Sequence, residues 1–125
     1  MSAARLPRTL LIVDDRADVR RALGRFFGTV FERVEMAATP EEALARLERA
    51  SPDVVLTDYW LGNEHPPATQ LVPGWRAQFP CVKVVVLMTG TKSSALQDVE
   101  VVDAVFPKPL HLKDVRAYIE EALSR

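Results

Sequence analysis

Residues 9–15 read TLLIVDD, a short apolar run that ends in two adjacent aspartates. A continuous run of this length that contains β-branched residues is typical of a strand buried on both faces of a parallel sheet. Two further runs, Val54 to Thr57 and Val84 to Met88, have the same character. Strands of this kind need helices above and below the sheet, so the sequence predicts an α/β domain.

Amphipathic patterns alternate with these strands. The first predicts a helix whose apolar residues recur at i, i+3, i+4, i+7 and i+8: Val19, Ala22, Leu23, Phe26 and Phe27. A second helix should begin with Thr39 as the cap, Pro40 at the first helical position and Glu42 three residues after the cap. Its inward side is predicted to hold Ala43, Leu44, Leu47 and Ala50.

The remaining elements complete the alternation. Arg33 to Ala37 is of mixed polarity, as expected for an edge strand, and the last helix should run from about Leu112 to Leu123. A further helix is predicted over Ser93 to Val101, followed by a strand over Ala104 to Phe106. Five βα units with short right-handed crossovers predict a doubly wound parallel sheet.

The segment from Asn63 to Pro80 is less regular because it contains three prolines and a glycine in its interior. The third helix should therefore be short or displaced. The last predicted helix should bury residues spaced at three and four positions: Leu112, Val115, Ile119 and Leu123.

The chain has 125 residues, with 16 basic and 17 acidic side chains and a net charge of -1. We interpret residues 1–125 as one domain, with about residues 1–8 as a lead-in. A near-neutral charge disfavours nucleic-acid binding. The longest aliphatic run, Val84 to Met88, is far shorter than the roughly 20 residues that span a bilayer, and the residues after Met1 do not have the pattern expected of a signal peptide. A cytoplasmic location without membrane insertion is therefore expected, and the single Cys81 excludes an internal disulfide.

Polar residues follow the predicted strands. Asp14 and Asp15 end the first, Asp58 ends the third, Thr89 ends the fourth, and the fifth leads to Lys108. Taken alone, an aspartate after a strand is more often a helix cap or turn former. Together, three carboxylates at one sheet edge would raise one another's pKa unless a cation compensates. A hard dication with oxygen ligands meets that need: Mg²⁺ first, with Mn²⁺ as a substitute.

Four segments at successive strand ends resemble the receiver domain of two-component response regulators: residues 11–15 (LIVDD), 55–58 (VLTD), 86–90 (VLMTG) and 107–110 (PKPL). The resemblance covers essentially the whole chain. It implies a flavodoxin-like five-stranded sheet of order 2-1-3-4-5. It also implies a function in phosphorelay signalling, in which the domain accepts a phosphoryl group from a phosphohistidine and does not turn over a separate substrate.

By this resemblance Asp58 is the phosphoacceptor, and a carboxylate is a competent nucleophile toward phosphorus. Lys108 and Thr89 would contact phosphoryl oxygens, and the bond between Lys108 and Pro109 would be cis. The resemblance also implies the ligands of Mg²⁺. These are Asp15 and Asp58 directly, Asp14 through a water, and the backbone carbonyl of Trp60.

The chain departs from the family pattern at the position of the usual strand-five aromatic. That position is Val105, and the aromatic Phe106 stands one place later. Because successive strand residues face opposite sides, Phe106 should point away from Val105 and pack in the core. The run after Asp58 lacks a Met-Pro pair and looks more like receivers of hybrid histidine kinases.

The partners implied are a histidine kinase or a histidine phosphotransfer protein, and a second copy of the chain in a phosphorylation-dependent homodimer. Two other functions are considered. A Mg²⁺-dependent phosphohydrolase would place an aspartate as general acid where this chain has Trp60. A non-phosphorylated binding module of the same fold would fit Val105, although the full set of charged strand-end residues argues against it. The sequence names no kinase, signal or output.

Overall fold

The computed structural model describes residues 4–90 and 95–125, and within them it shows one five-stranded sheet and four α-helices. In chain order the elements are β1 (Leu6–Val13), α1 (Ala17–Phe27), β2 (Phe31–Ala37), α2 (Pro40–Ala50), β3 (Val54–Asp58), α3 (Ala68–Gln78), β4 (Val84–Thr89), β5 (Ala104–Pro107) and α4 (Leu112–Leu123). A 3₁₀ turn, Val99–Val101, precedes β5.

All strand pairs are parallel, and the spatial order is β2-β1-β3-β4-β5. The fold class predicted from the sequence is confirmed. The chain leaves β1 toward β2 on one side and returns to β3 on the other, so the strand order reverses beside β1. Ligands of open α/β sheets bind beyond the carboxyl ends of the strands at such a reversal.

The two faces of the sheet carry separate apolar clusters. One lies under α2 and α3 and includes Leu11, Val55 and Leu87; the other lies under α1 and α4 and includes Leu56 and Val86. Every residue of β4 is buried, as are the first four residues of β3. Each fully buried valine or leucine contributes about 1.5–3 kcal/mol, so this double core holds the strand ends in place.

The predicted capping box of α2 is present. The Thr39 hydroxyl accepts from the Glu42 amide at 3.1 Å, the Ala38 amide donates to the Glu42 carboxylate at 2.9 Å, and Pro40 is the first helical residue. The inward side of α2 is narrower than predicted. Leu44 is 41% exposed. The buried residues Ala43 and Leu47 lie on one side of α2, and Leu44 is turned away from that side.

The buried faces of α1 and α4 are also narrower than the sequence predicts. In α1 Leu23 and Phe27 are buried, whereas Ala22, predicted to face the core, is exposed. The bounds predicted for the last helix are those of α4, and Val115 and Ile119 are buried at its centre. Its end residues, Leu112 and Leu123, are half-buried and pack against the same cluster.

The third helix is displaced, as predicted, but it is not short. The helix α3 begins only at Ala68, after a loop over residues 59–67, and has 11 residues, as many as α1 or α2. Pro73 lies inside it on the exposed side. A proline there removes one helical hydrogen bond, and the buried Val72 and Trp75 on the opposite side hold the helix in place.

The helix predicted over residues 93–101 is wrong where it can be compared. Residues 93 and 94 lie outside the described residues, and from Ala95 onward the chain forms no α-helix before β5. Asp98 adopts a left-handed conformation with φ of 58°, which a right-handed helix cannot include, and only the 3₁₀ turn follows.

The first strand begins earlier than predicted. The strand β1 starts at Leu6, so the lead-in of residues 1–8 overlaps it, and residues 1–3 lie outside the described residues. The register of β1 against β2 shifts between Leu6 and Thr9, and the buried residues of the strand begin at Leu10. No helix in the described part of the chain has the length and apolarity that crossing a bilayer requires.

Candidate functional site

Three carboxylates converge at the carboxyl edge of the sheet. One oxygen from each of Asp14, Asp15 and Asp58 lies within 4.8 Å of the other two. Asp14 and Asp15 follow β1, Asp58 ends β3, and these two strands are hydrogen-bonded neighbours, with Val13 paired to Thr57. The sheet topology therefore brings together residues that are 43 positions apart, as the sequence predicted. We call this cluster of Asp14, Asp15 and Asp58 the acidic corner.

Asp14 is the fixed member of the acidic corner. Its side chain is fully buried, one carboxylate oxygen accepts from the Arg16 amide at 2.9 Å, and the other lies 3.2 Å from the Lys108 ammonium. Its own amide donates to the Ala37 carbonyl at 3.1 Å. Asp15, by contrast, is exposed. A buried carboxylate is stable only when its oxygens are bonded, and these contacts supply that bonding.

Lys108 bridges two of the carboxylates. Its ammonium lies 3.0 Å from Asp58 and 3.2 Å from Asp14, and it is contributed by the segment directly after β5. Its amide donates to the Thr89 carbonyl at 2.8 Å, which ties this segment to the end of β4. The bond between Lys108 and Pro109 is cis, as the family resemblance implies. The positive charge of Lys108 therefore lies directly beside two of the three carboxylates of the acidic corner.

The ionisation of this pair follows from its surroundings. Burial raises the pKa of Asp58 above its ordinary value, and the nearby charge of Asp14 adds to that rise; the hydrogen bond and charge of Lys108 oppose it without cancelling it. Burial lowers the pKa of Lys108, but the hydrogen bonds and charges of Asp58 and Asp14 outweigh burial and leave that pKa raised. Ionisation of Asp58 therefore lowers the free energy of unfolding, and a further cation in the acidic corner would offset that loss.

The other predicted site residues lie around the acidic corner. Thr89 is the last residue of β4, is buried, and pairs in register with Pro107, the neighbour of Lys108. Trp60 is 48% exposed, and its ring stands perpendicular to that of Tyr59 at a centroid distance of 5.0 Å. All six residues proposed from the sequence therefore belong to the ends of β1, β3, β4 and β5 and the segments that leave them.

Two further residues shape the acidic corner and escaped the sequence analysis. The Arg20 guanidinium donates to the Asp14 carbonyl at 2.7 Å. Gly62 has φ of 105°, and a Cβ there would lie 4.0 Å from an Asp15 oxygen. The glycine was visible in the sequence, but its proximity to Asp15 comes from the path of the loop.

The strand β5 follows the predicted alternation. Val105 is 37% exposed, whereas Phe106 is half-buried against the cluster under α1 and α4. The Phe106 ring meets the Tyr118 ring edge-on at 6.0 Å. Phe106 is therefore a packing residue of the opposite face, as predicted, and does not take the place of an aromatic at Val105.

The donor set of the acidic corner fits a hard dication. Three carboxylates whose oxygens lie within 4.8 Å of one another offer the ligand type that Mg²⁺ prefers, and one of them is exposed enough to be reached from solvent. Imidazole or thiolate ligands, which would favour zinc or copper, are absent from this cluster of described residues.

The comparisons with known proteins decide the family. A sequence model of the response regulator receiver domain matches residues 10–120. The chain belongs to the receiver domain family. Receiver domains are regulatory phosphoacceptor domains of two-component systems; they bind Mg²⁺ at an acidic pocket and interact with histidine kinases or phosphotransfer proteins. Comparison with curated protein sequences gave no significant match.

Solved structures of receiver domains have the same fold. The BeF3-activated receiver domain of DrrB superposes with a TM-score of 0.81 at 20% identity, covering 96% of this chain and 100% of that one. A CheY-like receiver domain protein from Methanospirillum hungatei gives 0.79 at 26% identity, covering 95% of each chain. A response regulator from Thermotoga maritima gives 0.80 at 22% identity, covering 96% and 100%.

Proposed function

We propose that Asp58 of this receiver domain accepts a phosphoryl group from a phosphohistidine on a histidine kinase or histidine phosphotransfer protein. The observation that carries the proposal is the position of Asp58. Its carboxylate lies 3.0 Å from the Lys108 ammonium, within 4.8 Å of two further carboxylates, and its side chain keeps 14% of its surface accessible. A nucleophile for a macromolecular donor has to be both charged and reachable, and Asp58 meets both conditions.

In the proposed reaction an Asp58 oxygen attacks phosphorus in line with the phosphohistidine nitrogen. The P–N bond breaks as the O–P bond forms, and the departing imidazole nitrogen keeps the electron pair and takes a proton from solvent. The product is an acyl phosphate on Asp58. The transferred group carries its charge on three equatorial oxygens, so the surrounding cations and donors supply most of the catalysis.

The acidic corner is proposed to hold Mg²⁺. Asp15 and Asp58 would bind it directly, together with the Trp60 carbonyl, and Asp14 would bind through a water. When bound, Mg²⁺ supplies positive charge to the incoming phosphoryl oxygens and screens the carboxylates from one another. Asp14, which is buried and bonded to the Arg16 amide, keeps the geometry of the corner fixed in either state.

Lys108 and Thr89 are proposed to contact the remaining phosphoryl oxygens. Lys108 already lies beside Asp58, so its charge is in place before the group arrives. Thr89 ends the strand next to β3 and brings a hydroxyl, which is a donor that adds no charge. Both residues stabilise charge that grows at phosphorus.

The surface beside the site supports a macromolecular donor. A groove of 320 Å³ runs between α1 and the segment after β5, and it is lined by Val19, Leu23, Lys108 and Leu110 among others. Lys108, whose ammonium lies 3.0 Å from the phosphoacceptor, is one of the residues that line this groove. We propose that the phosphodonor docks here in the cytoplasm, and that phosphorylation also favours a homodimer.

The decisive experiment is intact mass spectrometry after incubation with acetyl phosphate or phosphoramidate and Mg²⁺. The wild-type chain should gain the mass of one phosphoryl group. Asp58→Asn should gain none, whereas Asp114→Asn, which changes an exposed aspartate on α4, should behave like the wild type. Chelation of the metal should prevent the gain.

Absence of a mass gain in the wild type at saturating donor would contradict the proposal. That outcome would favour a non-phosphorylated binding module. Release of phosphate in many turnovers from a small phosphate ester would favour a phosphohydrolase.

A further inference from the structure

Tyr59, the residue after the proposed phosphoacceptor, makes a contact that the proposed reaction does not use. Its side chain is 1% exposed, and its phenolic oxygen accepts from the Gln97 amide at 3.1 Å. Gln97 belongs to the segment of residues 95–101 that ends in the 3₁₀ turn before β5. One side chain thus joins the end of β3 to a segment that lies beyond β4.

The backbone of Tyr59 is fixed on two neighbours. Its amide donates to the Met88 carbonyl at 2.9 Å, and its carbonyl accepts from the Ala68 amide at 2.8 Å, where α3 begins. Met88 directly precedes Thr89, one of the proposed phosphoryl contacts. The backbone of Tyr59 is therefore hydrogen-bonded both to the end of β4 and to the start of α3.

The Tyr59 ring is packed too closely to move by itself. It belongs to the buried cluster under α2 and α3, and Leu96, Val101 and Val102 pack against the same cluster. Buried rings in close-packed interiors shift together with their neighbours. A displacement of the strand end at Asp58 would consequently reach the 95–101 segment both through the cluster and through the hydroxyl.

A change of charge at Asp58 provides the displacement. The Asp58 carboxylate is now bonded to Lys108, and transfer of a phosphoryl group would add charge and oxygen acceptors at that atom. The bonds of Lys108 and the end of β4 would then rearrange around the new group. In this chain Val105 is exposed and Phe106 packs on the opposite face of the sheet. Neither of these two side chains therefore lies in the core between the site and residues 95–101.

We propose that Tyr59 is a positioning residue that couples the charge state of the acidic corner to the backbone of residues 95–101 through its hydroxyl. This inference rests on the proposed function, because it assigns the route by which phosphorylation of Asp58 changes the backbone of residues 95–101. The response is confined to the surroundings of Gln97 and does not extend through Phe106 to Tyr118.

The test measures amide exchange of the full chain, with Mg²⁺ alone and with Mg²⁺ and beryllofluoride as a phosphoryl mimic. In the wild type, exchange across residues 95–101 should change about fivefold on addition of beryllofluoride. Tyr59→Phe keeps the ring and removes the acceptor. Without beryllofluoride, its Gln97 amide should exchange about fivefold faster than in the wild type, as expected for loss of one ordinary hydrogen bond. Its beryllofluoride response should fall by at least half.

The matched control is Tyr118→Phe, which removes the other tyrosine hydroxyl of the chain, bonded to the Asp103 carbonyl at 3.0 Å. It should keep the wild-type response at residues 95–101. A second variant, Gln97→Pro, removes the donor and leaves Tyr59 intact, so it should reproduce the loss of response at residues 98–101.

The outcomes separate this inference from the proposed function. If Asp58 is phosphorylated by acetyl phosphate but Tyr59→Phe and Gln97→Pro keep the full response, the coupling through Tyr59 is wrong and the proposed function stands. The coupling is also wrong if the phosphorylated wild type shows no response at residues 95–101. If the wild type takes up no phosphoryl group, both fail together.

Discussion

The acidic corner and the segment that includes β5 are held in different ways. The acidic corner sits at the ends of β1 and β3, where residues 10–13 and 54–57 are buried and fixed by main-chain pairing. The segment of residues 95–107, here called the β5 flank, has a left-handed Asp98, a 3₁₀ turn and a strand of four residues that alternates between half-buried and exposed.

Besides the pairing of β5 with β4, individual side chains attach the β5 flank to the rest of the molecule. The Asp103 carboxylate accepts from the Arg76 guanidinium at 2.6 Å and from the Val85 amide at 2.7 Å. Tyr59 and Tyr118 hold the flank at Gln97 and at the Asp103 carbonyl. The proposed chemistry therefore depends on backbone topology, whereas the region placed to respond depends on a few individual contacts.

The largest effect is expected from Lys108→Met, which removes the cation from the acidic corner. Asp14 is fully buried and would lose its counter-charge, so the free energy of unfolding at neutral pH and without metal should fall by about 2 kcal/mol. Thermal or urea unfolding measures this. The control, Lys83→Met, changes an exposed lysine and should stay within about 0.5 kcal/mol.

The same variant tests the proposed cation site. Mg²⁺ at ten times its dissociation constant should add about 1.4 kcal/mol to the wild type, since it binds the folded chain. At the same Mg²⁺ concentration the gain should be larger in Lys108→Met, because one competing charge has gone. If millimolar Mg²⁺ leaves the stability of the wild type unchanged, the proposed metal site is wrong. If Lys108→Met is as stable as the wild type without metal, Lys108 is not the counter-charge that stabilises the buried Asp14.

A smaller effect of opposite sign is expected from Asp58→Asn without metal. Because the pKa of Asp58 is raised, the folded chain binds this proton more readily than the unfolded chain, and ionisation of Asp58 lowers stability as the pH rises above about 4. The melting temperature of Asp58→Asn should exceed that of the wild type by a few degrees at pH 7. The difference should shrink as the pH falls toward 4.

Calorimetry of both proteins across this pH range measures the difference. A deficit of Asp58→Asn at pH 7 would mean that the ion pair with Lys108 outweighs the burial of the carboxylate. A constant difference between pH 4 and 7 would mean that the substitution acts through packing and not through charge.

The smallest effect concerns the β5 flank. Arg76→Met keeps most of the apolar stem but removes the contacts with Asp103 and with the Val101 carbonyl, so stability should fall by about 1 kcal/mol. Arg116→Met, which breaks an exposed pair with Glu120 on α4, should cost less than about 0.5 kcal/mol.

In Arg76→Met, phosphorylation of Asp58 by acetyl phosphate should proceed at the wild-type rate while amide exchange across residues 95–103 rises. Loss of phosphorylation in this variant would show that the acidic corner depends on the contacts of the β5 flank. The two regions would then not be held independently.

Local signals were sufficient for much of the fold. The start of α2 could be predicted because Thr39, Pro40 and Glu42 act within four residues of one another. The helix over residues 93–101 was predicted wrongly because a pattern of apolar residues does not reveal a left-handed residue at Asp98. The exposure of Leu44 likewise depends on the angle at which α2 rests on the sheet, which its own pattern leaves undetermined.

Apart from the helix over residues 93–101, the sequence by itself determined the order of strands and helices and the charged residues at the strand ends, because burial periodicity and capping act over a few residues. Once the strands are parallel and adjacent, the meeting of Asp14, Asp15, Asp58 and Lys108 follows from topology. Only the tertiary structure decided that Arg20 holds the Asp14 carbonyl and that Tyr59 holds the Gln97 amide. The Tyr59 bond joins residues 38 positions apart through a side chain whose direction is set by packing of the whole core, and no local pattern encodes that direction.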